Sequence, residues 1–483
     1  MIRTFSTLFI CSLFFFTGIS SVYADAENIA IPIIGNDTSP RFSAREEKIL
    51  GENFMAQVRL SLPVSDDPEI SDYIQRLGFE LVSNSDFQTR HFHFFVINDN
   101  VINAFAGPDG YIGVDAGLIL TTGKESEIAA VLSHEMAHVV QRHLERSFDK
   151  NEKLTLPTAA AILAALVLGA KDINVAEAAI LGTIAANYQS QLSFSRSEEM
   201  EADNIGMQIL AKSDFNPYAM ASFFEKLQKA TRLNEGQTLE FLQTHPVTVK
   251  RIAEARNRAS AYKYHEKPPT EEYYLVKAKL RVNLSDDLKN LQHHLKVELK
   301  ERSYTNRVAT LYAYAWTLLS NEEYAKAREI AKKLIKLDRE RIQYSILTAE
   351  IEIKSGNVDK GLKIYDDALS ISPGNSALIL YYADALVSEG RPRKALQVLD
   401  SIKHYKETPT YYQIKAKAEG DSGDNISSHQ MLAEYYYLFG QDGMAIEQLN
   451  QAKSIKGATN LQKDIIDARI AEIKEIAKLA SNF

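Results

Sequence analysis

The chain has 483 residues, of which 55 are lysine or arginine and 63 are aspartate or glutamate, for a formal net charge of −8 at pH 7. This length predicts at least two domains. The mildly acidic and evenly mixed charge excludes the basic surface on which nucleic-acid binding depends. The single cysteine, Cys11, lies in the N-terminal segment, so the rest of the chain relies on neither disulfide bonds nor a thiol nucleophile.

Residues 1–24 have the pattern of a cleavable export signal. Arg3 provides a basic start, and residues 8–16 form an apolar core that is too short for a membrane span of about 20 residues. Val22-Tyr23-Ala24 then provides a small-residue cleavage site. We expect cleavage after Ala24 and export to the periplasm, with an uncleaved anchor as the alternative.

A small β-sheet is predicted ahead of the first chemical motif. Phe92, Phe94 and Val96 alternate with their neighbours in a run that ends in an Asn-Asp-Asn turn. Residues 101–106 then lead through Gly107-Pro108-Asp109-Gly110 into residues 111–114. This order predicts a strand, a glycine turn and another strand.

The segment His134-Glu135-Met136-Ala137-His138 has the spacing of a metal site on a helix. Histidines at positions i and i+4 share one helix face, so both imidazoles can reach one tetrahedral metal ion. Glu135 is then placed to hold and deprotonate a metal-activated water. His143 is expected on the outer face of the same helix. The flanking apolar residues recur at helical spacing and predict a buried helix: Ile128, Val131, Leu132, Met136, Val139 and Val140.

Residues 154–170 form an alanine-rich apolar stretch between Lys153 and Lys171. At 17 residues, with Pro157 inside, it is marginal as a membrane span. We expect a helical hairpin over the cleft, with peripheral membrane contact left open.

A second motif begins at residue 195 and predicts another helix. Glu199 and Asp203 are spaced i and i+4 and therefore share a face. A catalytic zinc site has three protein ligands and one open position, so Glu199 can be the third ligand and Asp203 a carboxylate behind the ligands. Glu198 and Glu201 are rival candidates, but neither has a carboxylate one turn downstream.

Together with Phe194-Ser195-Arg196, these two helices resemble those of the HtpX-like and CAAX-prenyl-protease-like zinc metallopeptidases. The resemblance implies one Zn²⁺ per chain, a general base, and an acidic residue that donates a proton or orients a ligand. It also implies that the segment 103–112 contains an edge strand along the cleft, which can bind an extended substrate by main-chain pairing. The implied zinc ligands are His134, His138 and Glu199, and the implied catalytic residues are Glu135 and Asp203. An accidental motif beside an ordinary acidic helix is the alternative.

His245-Pro246, followed by Arg251, resembles the H-P-x-x-x-x-R segment that ends these catalytic domains. His245 is therefore a candidate oxyanion stabiliser, or a regulatory fourth zinc ligand that silences the enzyme. The alternative is a histidine at a helix start, before a proline in the first helical position.

A polar, proline-containing stretch at residues 265–269 marks a domain boundary. We expect a zinc metallopeptidase domain at residues 25–265 and a helical connector at 266–305. A tetratricopeptide-repeat domain is expected at residues 306–483.

The repeats are indicated by Ala327, Gly361 and Ala395, which are spaced 34 residues apart and are each preceded by a turn. A further unit, with Ala445 in register, is offset by an extra 16 residues, or about one helix. We therefore expect the array to break phase between residues 410 and 425, and a final helix near 460–480 to cap it.

The predicted fold class is mostly α with a small β-sheet: an HtpX-like zincin domain followed by an α-solenoid of tetratricopeptide repeats. This combination resembles the BepA type of periplasmic zinc peptidase. The resemblance implies a protease and chaperone-like role in outer-membrane β-barrel assembly, with degradation of stalled or misfolded envelope proteins. The implied partners are unfolded outer-membrane proteins and the β-barrel assembly machinery. The alternative is a chaperone or scaffold that acts through its repeats and has a latent protease site.

Overall fold

The N-terminal part of the chain folds around a small sheet flanked by helices. The computed structural model describes residues 42–88, 90–149, 194–233, 239–264, 266–402 and 407–482. The expected cleavage after Ala24 and the expected hairpin at 154–170 lie outside these residues. Within them, no helix combines the length and apolar content that a membrane span requires.

Before residue 260, two helices precede three short strands, and further helices follow. They are α1 (Ala44–Ser61), α2 (Pro68–Ser83), β1 (His93–Ile97), β2 (Ala104–Ala106), a 3₁₀ turn (Pro108–Gly110), β3 (Tyr111–Asp115), α3 (Ala116–Thr121), α4 (Glu125–Val140), α5 (His143–Asp149), α6 (Arg196–Lys212), α7 (Tyr218–Leu233), α8 (Glu240–Thr244) and α9 (Val249–Ala259).

The three strands lie in the order β1-β3-β2. β3 is parallel to β1, with His93 opposite Tyr111, and antiparallel to β2, with Ala104 opposite Val114. The turn before β3 requires a glycine, because Gly110 has φ +73° and an added Cβ would lie 2.0 Å from a backbone carbonyl oxygen. The predicted strand, glycine turn and strand are thus confirmed, and β2 lies at an edge of the sheet.

Helix α4 lies in the middle of this core. It packs against α2, the sheet, α6 and α7. Nearly every residue along it is buried, including polar ones such as Ser133 and Glu135. The prediction of a buried helix around the H-E-x-x-H motif is therefore confirmed, and only Val139 of its apolar set is partly exposed.

The rest of the chain is a series of antiparallel helices. They are α10 (Glu271–Asn283), α11 (Leu288–Glu301), α12 (Arg307–Ser320), α13 (Tyr324–Leu337), α14 (Ile342–Lys354), α15 (Val358–Ile371), α16 (Ser376–Ser388), α17 (Pro392–Asp400), α18 (Pro409–Ser422), α19 (Asn425–Leu438), α20 (Asp442–Ser454) and α21 (Asn460–Asn482).

The 34-residue spacing corresponds to one position in successive helix pairs. Ala327, Gly361, Ala395 and Ala445 are each the fourth residue of their helix, and all four are buried. Small side chains are needed there, because a Cβ at Gly361 would lie 2.8 Å from the backbone carbonyl oxygen of Ala349 in the preceding helix. The extra helix α18 occupies the interval in which the break of phase is predicted.

The connector helix α10 and the final helix α21 both contact the N-terminal part. Helix α10 places Tyr273 in the core around α4 and Leu275 in the core of the first repeats. At the other end, α21 packs on α20 and also places Ile476 against α1. The final helix therefore caps the array and also packs against α1, the first helix of the described chain.

A buried group of charged and phenolic side chains, which we call the junction cluster, joins α2 to the repeats. Lys279 is 4% exposed and lies 3.1 Å from Asp67 and in hydrogen-bond contact with Glu69. Its ammonium also donates to the Tyr381 hydroxyl at 2.6 Å, and the Tyr312 hydroxyl donates to Glu69 at 3.0 Å. The junction cluster consists of Asp67, Glu69, Lys279, Tyr312 and Tyr381.

Candidate metal centre

Four buried side chains from three parts of the chain converge in one place. His134 and His138 come from α4, Glu199 from α6, and His245 from the end of α8. Each of them is at most 2% exposed, and the candidate ligand atoms lie within 4.8 Å of one another. No other group of this kind occurs among the described residues.

The separations suit a tetrahedral metal ion. The Nε2 atoms of His134 and His138 are 3.1 Å apart, and they lie 3.6 Å and 3.5 Å from the two carboxylate oxygens of Glu199. Ligand atoms about 2.0–2.1 Å from a tetrahedral zinc ion are separated by roughly 3.3 Å. A set of two imidazoles and one carboxylate is a donor set that zinc accepts, so the residues fit the ion.

Glu135 lies beside this group and has no hydrogen-bond partner among the described residues. It is fully buried, and neither of its carboxylate oxygens accepts a hydrogen bond within the part of the chain that the structure describes. Burial outweighs the neighbouring imidazole charges and raises the pKa of Glu135. Buried acceptors are rarely left without a donor, so this carboxylate is available to a water or a substrate.

The rival carboxylates on α6 are directed elsewhere. Glu198 forms a capping box with Ser195, in which its carboxylate accepts from the Ser195 backbone N–H at 2.8 Å. Glu201 faces His143 and Arg146 at 3.1 Å and 2.9 Å. Of the three neighbouring glutamates, Glu199 alone belongs to the converging group.

Gly206, which the sequence analysis did not single out, sets the distance between α4 and α6. A Cβ at this position would lie 3.0 Å from the His134 backbone nitrogen and 3.0 Å from the Ser133 carbonyl oxygen. The two helices can therefore approach closely only because this residue has no side chain. The spacing of Gly206, seven residues after Glu199, was the available signal.

Asp203 lies behind His134 and does not belong to the converging group. Its carboxylate is 3.1 Å from His134 Nδ1, and Arg251 donates to both of its oxygens at 2.9 Å and 2.8 Å. Burial alone would raise the pKa of Asp203, but His134 and Arg251 outweigh it and lower this pKa to about 2. The contact puts a charged carboxylate on the ring nitrogen that is turned away from the site.

His245 follows the last residue of α8, with φ −122° and ψ 78°. Its expected alternative, a histidine at a helix start, is wrong, because α9 begins four residues later. The His245 Nδ1 atom is 2.8 Å from Glu199 and 3.3 Å from His134 Nε2, whereas Nε2 is 3.6 Å from Glu135. Burial lowers the pKa of His245, but the carboxylates of Glu199 and Glu135 raise it by more than burial lowers it. The net pKa of His245 therefore lies above the ordinary value.

The expectation that His143 occupies the outer face of the metal-site helix is also wrong. Helix α4 ends at Val140, the chain turns through Arg142 with φ +52°, and His143 begins α5 fully buried. Its Nδ1 atom is 2.8 Å from Nδ1 of His138. Phe194 stacks on the same His138 ring with centroids 4.0 Å apart, so His138 is enclosed on two sides.

The sequence matches two family models. Peptidase family M48 matches residues 68–259, and the tetratricopeptide repeat matches residues 352–418. The M48 match and the buried histidine and glutamate group together imply a divalent metal ion.

Three relatives illustrate how far the similarity extends. The beta-barrel assembly-enhancing protease of Escherichia coli is 29% identical over 459 residues, which cover 95% of this chain and 94% of the relative. A Vibrio cholerae protein with a provisional form of the same name is 30% identical over 456 residues, 93% of each chain. The metalloprotease LoiP of E. coli is 30% identical over 207 residues, 40% of this chain and 73% of LoiP. The chain is therefore a metallopeptidase that belongs to the beta-barrel assembly-enhancing protease family, with an M48 domain followed by tetratricopeptide repeats.

Proposed function

We propose that the protein is a periplasmic zinc endopeptidase that acts on stalled or misfolded outer-membrane β-barrel proteins. The observation that carries the proposal is the convergence of His134, His138 and Glu199 beside the unbonded carboxylate of Glu135. The names of the relatives that match over more than 90% of the chain supply the context of β-barrel assembly. The repeats are the part that would recruit unfolded substrates and the assembly machinery.

In this proposal His134, His138 and Glu199 hold the zinc ion. Zinc chemistry at such a site is Lewis-acid polarisation of the scissile carbonyl and acidification of the attacking water. Glu135 accepts the proton of that water and returns it to the leaving amine. Burial raises the pKa of Glu135, which makes its carboxylate a stronger base.

Asp203 has the ligand-orienting role in this proposal. Its contact with His134 Nδ1 leaves Nε2 of the same ring free for the metal ion. Arg251 keeps the Asp203 carboxylate charged and fixed by two hydrogen bonds. The position behind the ring does not support the other expected role, proton donation to a substrate.

The edge strand β2 supports an extended peptide as substrate. It forms one edge of the sheet and packs against α4, which carries the H-E-x-x-H motif. An extended segment that adds to this edge would present its backbone to the metal-site helix.

His245 is proposed to occupy the fourth position at rest and to withdraw when substrate engages. It is the fourth member of the converging group and contacts Glu199 at 2.8 Å. A site with four protein ligands has no open position for water, whereas a catalytic zinc site needs one. If His245 instead stabilises the oxyanion, removal of its side chain should lower the activity.

The first test is Glu135→Gln in the full-length protein, with an unfolded outer-membrane β-barrel protein as substrate. Cleavage should fall about 10²- to 10⁴-fold, because the base is lost. Zinc content should stay at one per chain, since Glu135 is not a ligand in the proposal. The His134→Ala/His138→Ala double variant is the control, and its full retention of zinc would refute the ligand assignment.

The second test is His245→Ala. Basal proteolysis and self-cleavage should rise, because the fourth position is opened to water. A lower activity with unchanged zinc content would support oxyanion stabilisation instead.

A chaperone or scaffold with a latent site is the second candidate function, and the position of His245 as a fourth candidate ligand favours it. Suppression of aggregation of an unfolded β-barrel protein separates the two candidates. A chaperone keeps this activity in Glu135→Gln and in the presence of a chelator. An enzyme that acts by cleavage alone shows no such activity in either condition.

A further inference from the structure

A series of contacts begins at the buried ring of His138 and ends at a partly buried arginine. His138 Nδ1 lies 2.8 Å from His143 Nδ1, and His143 Nε2 lies 3.1 Å from a carboxylate oxygen of Glu201. Arg146 donates to the same oxygen of Glu201 at 2.9 Å. The proposed function uses none of the last three residues.

The carboxylate of Glu201, at one end of this series of contacts, determines which ring nitrogens carry a proton. A carboxylate accepts hydrogen bonds only, so His143 Nε2 carries the proton that points to Glu201. A neutral His143 then has a lone pair on Nδ1, and the facing Nδ1 of His138 must carry the proton between them. The remaining nitrogen of His138, Nε2, is thereby left as a lone pair directed at Glu199 and His134.

His134 is held in an equivalent way, but by a shorter chain. Its Nδ1 contacts Asp203 directly, and Arg251 fixes that carboxylate. His138 has an additional imidazole between its ring and the carboxylate. The two histidines of the motif are therefore each backed by a carboxylate and an arginine.

His143 reaches this position only because the helix is interrupted. Five residues after His138 on a continuous helix, a side chain would be turned about 140° around the axis, away from the site. The left-handed turn at Arg142, with φ +52°, redirects the chain so that α5 begins beneath the His138 ring. His143 itself is not placed to bind the ion, because it faces Nδ1 of His138 and not Nε2.

We propose that His143, held by Glu201 and Arg146, is a positioning residue that fixes the tautomer and orientation of His138 for metal binding. The inference rests on the proposed function in one respect, namely that His138 is a metal ligand. Groups that orient a ligating histidine in this way change metal affinity by about 10- to 100-fold when they are removed.

The test compares His143→Leu with His143→Asn in the full-length protein. Leucine fills the space without an acceptor, whereas the asparagine side-chain oxygen can take the place of Nδ1 and accept from His138. The affinity of the metal-free protein for Zn²⁺ and Co²⁺ is measured by competition with a chromophoric chelator. The visible absorption of the Co²⁺ form reports the geometry at the metal, and the melting temperature of the metal-free form reports folding.

His143→Leu should bind both ions about 10- to 100-fold more weakly and change the Co²⁺ spectrum. His143→Asn should restore both properties to within a few-fold of the wild type. His294→Leu, at an exposed histidine of α11, is the matched control and should change neither. Glu201→Ala provides a second variant if His143→Leu does not fold, and it should weaken binding in the same direction.

Wild-type affinity in both His143→Leu and Glu201→Ala would overturn the inference. So would an asparagine variant that binds as weakly as the leucine variant, since the role would then be packing. Either result would leave the ligand assignment standing as long as His138→Ala loses the metal. Unchanged binding in His138→Ala would instead refute the proposed function.

Discussion

The metal centre and the junction cluster are both buried groups of charged side chains, but they differ in how their polar atoms are satisfied. In the junction cluster Lys279 and both oxygens of Glu69 have partners within the cluster. In the metal centre, Glu135 has two oxygens without a hydrogen bond, and three imidazoles and one carboxylate face one point.

Buried polar groups are normally paired, and those that are not call for an explanation. A cluster whose members satisfy one another holds parts of the fold together. A cluster in which the oxygens of a buried carboxylate such as Glu135 have no donor is arranged for an ion, a water or a substrate. The contrast predicts that substitutions in the junction cluster act on stability, whereas those at Glu135 act on activity.

The largest effect on stability is expected for Lys279→Met. The substitution leaves Asp67 and Glu69 buried without their cation, and breaking a buried ion pair in this way costs about 3–5 kcal/mol. Chemical denaturation measures the loss. Adding Glu69→Gln should recover part of it, because one unpaired charge is then removed.

The matched control is Lys326→Met, at a lysine whose side chain is 69% exposed and paired with Glu323 on the surface. Its effect should be much smaller than that of Lys279→Met, because solvent screens an exposed pair. If Lys279→Met cost no more than this control, the junction cluster would not hold the two parts together.

A smaller loss is expected for Gly206→Ala. The added methyl group would meet the backbone at His134 and force α4 and α6 apart by a few tenths of an ångström, at a cost of about 1–3 kcal/mol. Zinc affinity should fall as well, because α6 carries Glu199. Gly443→Ala is the control, since no atom lies within 4 Å of its added Cβ. An equal response at the two glycines would refute the close-approach argument.

Stability should also depend on pH. Burial, opposed by Lys279, raises the pKa of Glu69 from 4.5 to about 7. Between these values the unfolded chain releases the proton and the folded protein keeps it, so stability falls as pH rises, by at most about 1.4 kcal/mol per pH unit. The difference in unfolding free energy between wild type and Glu69→Gln, measured from pH 4 to pH 8, should show this slope. A flat difference would contradict it.

The sequence was sufficient for the elements whose signal is local or periodic. The spacing of His134 and His138 indicates a shared helix face, and the flanking apolar residues indicate burial. The 34-residue spacing of Ala327, Gly361 and Ala395 indicates paired helices, because small residues at the helix crossing must recur once per repeat. Even the extra helix α18 follows from the offset of the last unit.

The tertiary structure alone decided how these elements meet. The direction of Glu201 away from the site depends on a contact with α5, which does not follow from spacing. The helix cap that turns Glu198 away has the S-x-x-E spacing of a capping box, but the sequence analysis did not use it. The position of His143 depends on a left-handed turn at Arg142, which the helical pattern of the motif does not reveal. The sequence by itself thus determined which residues can share a helix face, since that geometry is local. Which faces pack together was decided by close approach at Gly206 and by the buried charges of the junction cluster, because these are contacts between residues far apart in the chain. The interruption of α4 is local, but it depends on the backbone conformation of Arg142 and not on a helical pattern.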